Sequence, residues 1–273
     1  SYDFNRNYEW HEKTLLEGES VRDIKTILRE AQLPTDDGKG TLFAYFIPSH
    51  GENPALVDTT IVYNNGNFAN IEHYVPRIRF LHEAGYNLLV WDYRGYGKSL
   101  PDADCTPDEF LSDARLIWDY AKTQAPDESK MIAYGFSLGG IPATEMSLSN
   151  EQCALMLEAV FPSISIVAES ASTLSFGEEF FSAGKYNNVA KLKEITQPTF
   201  VFHGDLDRKF PISASEKLFE AANTEHKDFW LVPGAYHGLT KGAIPEQGLS
   251  QYFDALSGFL ESHAPDCLTV PSS

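Results

Sequence analysis

The chain has 273 residues, with 39 acidic and 21 basic side chains and a formal net charge of −18. That excess of negative charge repels nucleic-acid phosphate, whose binding needs clustered Lys and Arg to release counterions, and it disfavours an anionic membrane surface. Apolar residues make up 42% of the chain and aromatic residues 13%, which is a globular composition, and no apolar run approaches the roughly 18 residues of a membrane span.

Residues 1–20 mix aromatics with charges and read as an irregular lead-in. A strand is expected over Val21–Leu28 and a clearer one over Thr41–Ile47, with the glycines of Gly38-Lys39-Gly40 marking a hairpin-type turn between them. From there short β-rich apolar runs alternate with longer helical patterns. The expected strands are Thr59–Tyr63, Asn87–Trp91, Lys130–Tyr134, Ala154–Leu157, Pro198–Phe202 and Phe229–Val232. The expected helices are Asn70–Glu83, Thr106–Thr123, Gly139–Leu148, Ile212–Ala222 and Gln251–His263. The second helix has clear start signals: Thr106 to cap, Pro107 at the first helical position, and Asp108 and Glu109 at the positive end of the dipole. Alternating strands and helices imply an α/β fold, a mostly parallel central sheet with helices on both faces and an antiparallel addition at one edge. No linker divides the pattern, so a single domain over 21–263 is expected, followed by a tail over 264–273. Ligand and catalytic loops of such a sheet collect at the carboxyl ends of its strands.

The most informative residues are Gly135-Phe136-Ser137-Leu138-Gly139. They lie between an apolar strand pattern and a helical one, which places a serine at the tip of a strand–turn–helix. A nucleophilic hydroxyl must project from a sharp turn, and side chains two positions away on either side would crowd it. The helix that follows points its free N–H groups at any negative charge forming there.

A serine hydroxyl needs a general base at neutral pH. His237 lies in Pro233-Gly234-Ala235-Tyr236-His237-Gly238, directly after a strand, where a base belongs; His203 also follows a strand and is the weaker alternative, better suited to closing a turn. The base needs a carboxylate to fix its tautomer. Asp207 and Asp205 both follow the strand ending at Phe202, and Asp207 has the longer reach over the sheet top. The order Ser137, Asp207, His237 is the one expected of a nucleophile elbow. The run Tyr93–Ser99 ends in Gly-Tyr-Gly-Lys-Ser but has Asp92 where a phosphate-binding loop needs glycine, and it reads as a structural turn.

Together with Asn65–Asn70, Trp91–Ser99, Glu158–Ser163 and Phe202–Asp207, these residues resemble the α/β-hydrolase superfamily, in its small-lid serine esterase and thioesterase branch that includes depalmitoylase-like enzymes. The resemblance runs from about Arg22 to Leu260. It implies a backbone oxyanion hole, with one N–H from Leu138 and the other from Asn67, in a loop where relatives carry His-Gly and this chain has Asn65-Gly66. It also assigns residues 170–195 to a minimal lid. Phe176, Phe180 and Phe181 of that segment, with Phe68 and Tyr236, are candidate substrate-lining residues.

The expectation is a serine hydrolase acting on a small-molecule carboxylic ester or thioester through an acyl-enzyme on Ser137. A serine peptidase or lipase of the same fold, or a non-catalytic ligand-binding homologue, are its rivals. No cofactor and no metal is called for, since neither an HExxH motif nor a Cys/His cluster is present. Cys105, Cys153 and Cys267 are expected to carry no chemistry, with one disulfide and a free thiol open to an exported protein. The sequence begins at Ser1 without a charged-then-apolar leader, and it assigns neither a compartment nor an oligomeric state. Of the cations near the catalytic loops, Arg94, Lys98, Arg208 and Lys209, any that face the site would admit anionic substrates.

Overall fold

The computed structural model describes residues 26–68, 70–101, 105–149, 151–163, 186–238 and 249–269. Among them are eight strands: β1 (Arg29–Pro34), β2 (Thr41–Ile47), β3 (Thr60–Asn64), β4 (Asn87–Trp91), β5 (Met131–Phe136), β6 (Ala154–Glu158), β7 (Thr199–Gly204) and β8 (Lys227–Val232). The described helices are α1 (Ile71–Ala84), α2 (Pro107–Gln124), α3 (Gly140–Ser149), α4 (Asn188–Leu192), α5 (Ile212–Ala221) and α6 (Leu249–His263). The strands form one sheet in the order β1-β2-β4-β3-β5-β6-β7-β8. β1 pairs antiparallel with β2 and β2 with β4; every later pairing is parallel.

The central strands are buried on both faces, as a parallel sheet covered by helices requires. Alternate residues feed two cores. Ile61, Tyr63, Ile132, Tyr134 and Met156 point to the layer of α1 and α6. Val62, Leu89, Ala133, Leu155 and Leu157 point to the layer of α2, α3 and α5. The helix ends follow their capping chemistry. Asn70 accepts the Glu72 N–H at the start of α1, and Gly85 closes it in the left-handed conformation. Thr106 and Glu109 form a reciprocal capping box on α2.

Three expectations change. The edge strand is Arg29–Pro34 rather than Val21–Leu28, of which residues 21–25 lie outside the described residues. Its register is set by the turn, where the Thr35 N–H donates to the Gly40 carbonyl at 3.0 Å and Pro34 stands opposite Thr41. A half-exposed edge strand needs no apolar run, so the apolar run was a poor guide to it. β5 and β7 continue two residues beyond the apolar pattern, through Gly135 and Gly204, to the loops that carry the site.

The third change concerns the end of the 170–195 segment. Tyr186 and Leu192 are buried in the second core. Asn188 joins α3 to the end of β6, its Oδ1 accepting from Thr144 and its Nδ2 donating to the Phe161 carbonyl, each at 2.9 Å. From Tyr186 onward the segment is therefore part of the core layer. The chain beyond α6 is docked as well: Cys267 is buried and disulfide-bonded to Cys153, and the Thr269 N–H donates to the Ala55 carbonyl at 2.7 Å.

Candidate active site

The Gly135–Gly139 turn closes against β3 with no room for side chains. A Cβ on Gly135 would stand 2.6 Å from the Gly139 carbonyl oxygen, and one on Gly139 would overlap the Asn64 backbone. Ser137 has φ 53°, a left-handed conformation that L residues avoid and that is held here by its surroundings. Residues Ser137–Gly139 make a single 3-10 turn that leads into α3, so the first N–H groups of that helical run face the serine side of the elbow.

Ser137 Oγ lies 3.0 Å from His237 Nε2, and His237 Nδ1 lies 2.7 Å from Asp207 Oδ2. An ionised carboxylate only accepts, so Nδ1 carries the proton and Nε2 is free to accept from the serine. The His237 ring packs against two aromatic rings, tilted on Phe136 at 5.4 Å and edge-on to Phe210 at 5.2 Å. Burial works to raise the Asp207 pKa, but the hydrogen bond and charge of His237, with help from His203 and the Phe210 N–H, hold it below the usual aspartate value. Its other oxygen accepts from the Lys209 and Phe210 N–H groups at 2.7 and 3.1 Å.

The two alternatives are occupied elsewhere. His203 is buried, with Nδ1 2.8 Å from Ser215 Oγ and Nε2 3.1 Å from the Phe210 carbonyl. The carbonyl can only accept, so His203 donates from Nε2 and accepts from Ser215. It fastens the loop that presents Asp207. Asp205 accepts the Gly234 N–H at 2.7 Å and ties the loop after β7 to the loop after β8.

Asn67 follows β3 in a loop held by three tyrosines. The Tyr93 hydroxyl donates to the Asn65 carbonyl, and the Tyr96 hydroxyl donates to Asn67 Oδ1. The Tyr74 hydroxyl packs so closely on Gly66 that a Cβ there would stand 2.9 Å from it. Asn65 donates from Nδ2 to the Trp91 carbonyl at 3.1 Å and anchors the loop to β4. Among the described residues, no hydrogen-bond acceptor is found for the Asn67 N–H.

Phe68 is 61% exposed beside this loop and meets His73 edge-on at 5.1 Å. Tyr236 is half-buried, with the Arg208 guanidinium 5.7 Å over its ring. Phe176, Phe180 and Phe181 lie outside the described residues. Two of the four nearby cations are engaged away from the serine. Arg94 pairs with Asp113 and Asp37, and Lys98 pairs with Glu30. The tyrosine supports are not legible in the sequence, because a tyrosine in a helix or loop reads first as core. Among the described residues no group of three or more His, Cys, Asp or Glu is arranged to hold a metal ion.

A mostly parallel eight-stranded sheet, with a strained serine elbow after its central strand β5, defines an α/β hydrolase. Residues 56–171 and 165–242 match the family model described as serine aminopeptidase, S33, and the chain belongs to that family of α/β hydrolases. Over 239 residues it is 25% identical to the uncharacterised protein YfhR of Salmonella typhi, covering 81% of this chain and 77% of that one. The fold superposes on the Pyrococcus furiosus esterase Pf2001 with a TM-score of 0.70 at 21% identity, covering 92% of this chain and 96% of the esterase. It also matches Est1E of Butyrivibrio proteoclasticus, solved with ferulic acid bound, with a TM-score of 0.68 at 20% identity, covering 85% and 98%. No described helix is long and apolar enough to cross a membrane.

Proposed function

We propose that the protein is a serine hydrolase that cleaves carboxylic esters or thioesters through an acyl-enzyme on Ser137. The observation that carries this reading is the continuous chain from Ser137 Oγ to His237 at 3.0 Å and on to Asp207 at 2.7 Å. Ser137 attacks the substrate carbonyl carbon while its proton passes to His237 Nε2. Asp207 holds the ring in the required tautomer and stabilises the imidazolium. The Leu138 and Asn67 N–H groups receive the oxyanion. The alcohol or thiol leaves with the proton from His237, water then loses a proton to the same nitrogen as it attacks the acyl-enzyme, and the carboxylic acid departs with Ser137 restored. No cofactor enters these steps. Phe68 and Tyr236 border the mouth of the site and supply apolar contact to the acyl or leaving group. Arg94 and Lys98 are engaged in ion pairs, which leaves Arg208, over the Tyr236 ring, as the cation placed to meet an anionic group on a substrate.

The description of the matched family, serine aminopeptidase, favours a second reading in which the same groups cleave a peptide bond next to a free amino terminus. A panel of p-nitrophenyl esters, acyl thioesters and aminoacyl p-nitroanilides separates the two, and turnover of the anilides alone would replace the ester reading with the peptidase one. A fluorophosphonate should label the wild type at Ser137. Ser137→Ala should lose labelling and lower kcat by at least roughly 10³-fold while the fold is kept. Near-normal ester turnover by that variant would remove Ser137 from the mechanism.

A further inference from the structure

Beneath the candidate triad lies a buried ion pair that none of the steps above uses. Arg77, from the middle of α1, is 1% exposed, and its Nη1 donates to Oε2 of Glu158, the last residue of β6. The same carboxylate oxygen accepts from the Tyr134 hydroxyl at 2.7 Å, which in turn lies 2.7 Å from the Tyr252 hydroxyl. The guanidinium reaches two further groups, and both belong to the catalytic loops. Its Nη2 donates at 3.2 Å to the carbonyl of Gly238, the residue after His237. Its Cζ stands 4.2 Å over the ring of Phe136, the residue before Ser137, and that ring packs on His237 at 5.4 Å.

Burying a charged pair is a poor way to gain stability, because desolvation offsets the attraction and apolar side chains of similar volume do as well. Burial alone would lower the Arg77 pKa, and the adjacent Glu158 carboxylate more than reverses this, so the guanidinium stays charged. A planar, fixed fork suits a different task. It can hold a carboxylate, a carbonyl and an aromatic face in one rigid arrangement, which an ammonium group cannot. Here these three belong to β6, to the loop after β8 and to the elbow after β5.

We propose that Arg77 is a positioning residue. Anchored by Glu158, it fixes the His237 loop through the Gly238 carbonyl and the elbow through Phe136, and so sets the separation between His237 Nε2 and Ser137 Oγ. The proposal rests on the serine hydrolase reading. A displacement of about 1 Å at such a contact costs up to about a hundredfold in rate. The chemical step should therefore suffer while substrate binding, which Arg77 does not touch, is spared.

Two variants test this on the full chain. Arg77→Lys keeps a cation beside Glu158, but a single ammonium cannot also hold the Gly238 carbonyl and lie flat on Phe136. Arg77→Met combined with Glu158→Leu removes both charges together. In each, kcat for p-nitrophenyl butyrate should fall tenfold to a hundredfold with KM within twofold of wild type, and the rate at which a fluorophosphonate modifies Ser137 should fall by the same factor. A structural role alone would lower the melting temperature and leave both rates unchanged. Folded variants with both rates within twofold of wild type would overturn the proposal, as would a loss carried only by KM. Failure of both variants to fold would make the pair a folding element and overturn it too. Wild type that is not labelled at Ser137 overturns the hydrolase reading and this one with it; labelled wild type with unaffected variants overturns this one alone.

Discussion

His203 and Asp207 show how one side chain can support another without taking part in the chemistry. The His203 Nε2 is 3.5 Å from Asp207 Oδ2 and also donates to the Phe210 carbonyl. Burial pushes the His203 imidazole below the usual histidine value, against the pull of Asp207, so the ring is neutral in the folded protein at neutral pH. The unfolded chain binds a proton there at a pH where the folded chain does not. The stability contributed by the neutral ring is thus complete above the unfolded pKa of about 6.5 and is lost as pH falls below it toward the folded value. Asp207, whose pKa is also lowered, adds a loss of the same sign at still lower pH, below the usual aspartate value near 3.9. The melting temperature should therefore fall between pH 7 and pH 5. His203→Gln keeps one donor for Phe210 and one acceptor for Ser215 but cannot titrate, so its melting temperature should fall less over the same range. Parallel slopes for the two proteins would show that His203 does not bring this pH dependence.

At the scale of elements, glycine decides where β5 can turn into α3, and two glycines make the point in opposite directions. A Cβ on Gly139 would overlap backbone atoms of β3 that cannot move aside, whereas a Cβ on Gly258 in α6 would meet nothing within 4 Å. Gly139→Ala should destabilise by about 1–3 kcal/mol through overpacking and slow labelling of Ser137. Gly258→Ala should stabilise by up to about 1 kcal/mol through helix propensity. Melting curves and probe labelling of both variants check this, and equal effects would refute it. The same elements show what a sequence discloses. β2 and β4 occupy the spans expected from their apolar runs, and the turns after β5, β7 and β8 bring Ser137, Asp207 and His237 within hydrogen-bond distance of one another. β1 was missed because an edge strand needs no apolar run, and α4 because five residues carry too little periodicity. Arg77 was illegible for another reason. An arginine in a helical pattern reads as a solvated face, and its partner Glu158 stands 81 residues away.

For the molecule as a whole, the sheet has an end that carries the candidate triad and an opposite end, and each is secured differently. Ser137, Asp207 and His237 all follow the carboxyl ends of strands. Cys153 precedes the amino end of β6 and bonds to Cys267 in the turn after α6, closing a segment of 114 residues that contains Asp207 and His237 but not Ser137. Spacing alone could not choose this pair from three cysteines; the fold does so by bringing Cys267 beside the start of the sheet, where its carbonyl accepts from Thr59 at 2.5 Å. The third, Cys105, is half-buried, and desolvation pushes its thiol up to about 12, which favours the protonated form. A cross-link over so long a segment constrains the unfolded chain by about 2–5 kcal/mol in the chain-entropy account, or roughly 5–20 °C in melting temperature. Replacing Cys153 and Cys267 together by serine should lower the melting temperature within that range. Below it kcat should stay unchanged, because the bridge lies at the end of the sheet away from the serine. Dithiothreitol should bring the wild type down to the value of the variant and leave the variant unmoved. A wild type indifferent to the reductant, or a variant that melts normally but turns over slowly, would mean that the two ends of the sheet are not secured independently.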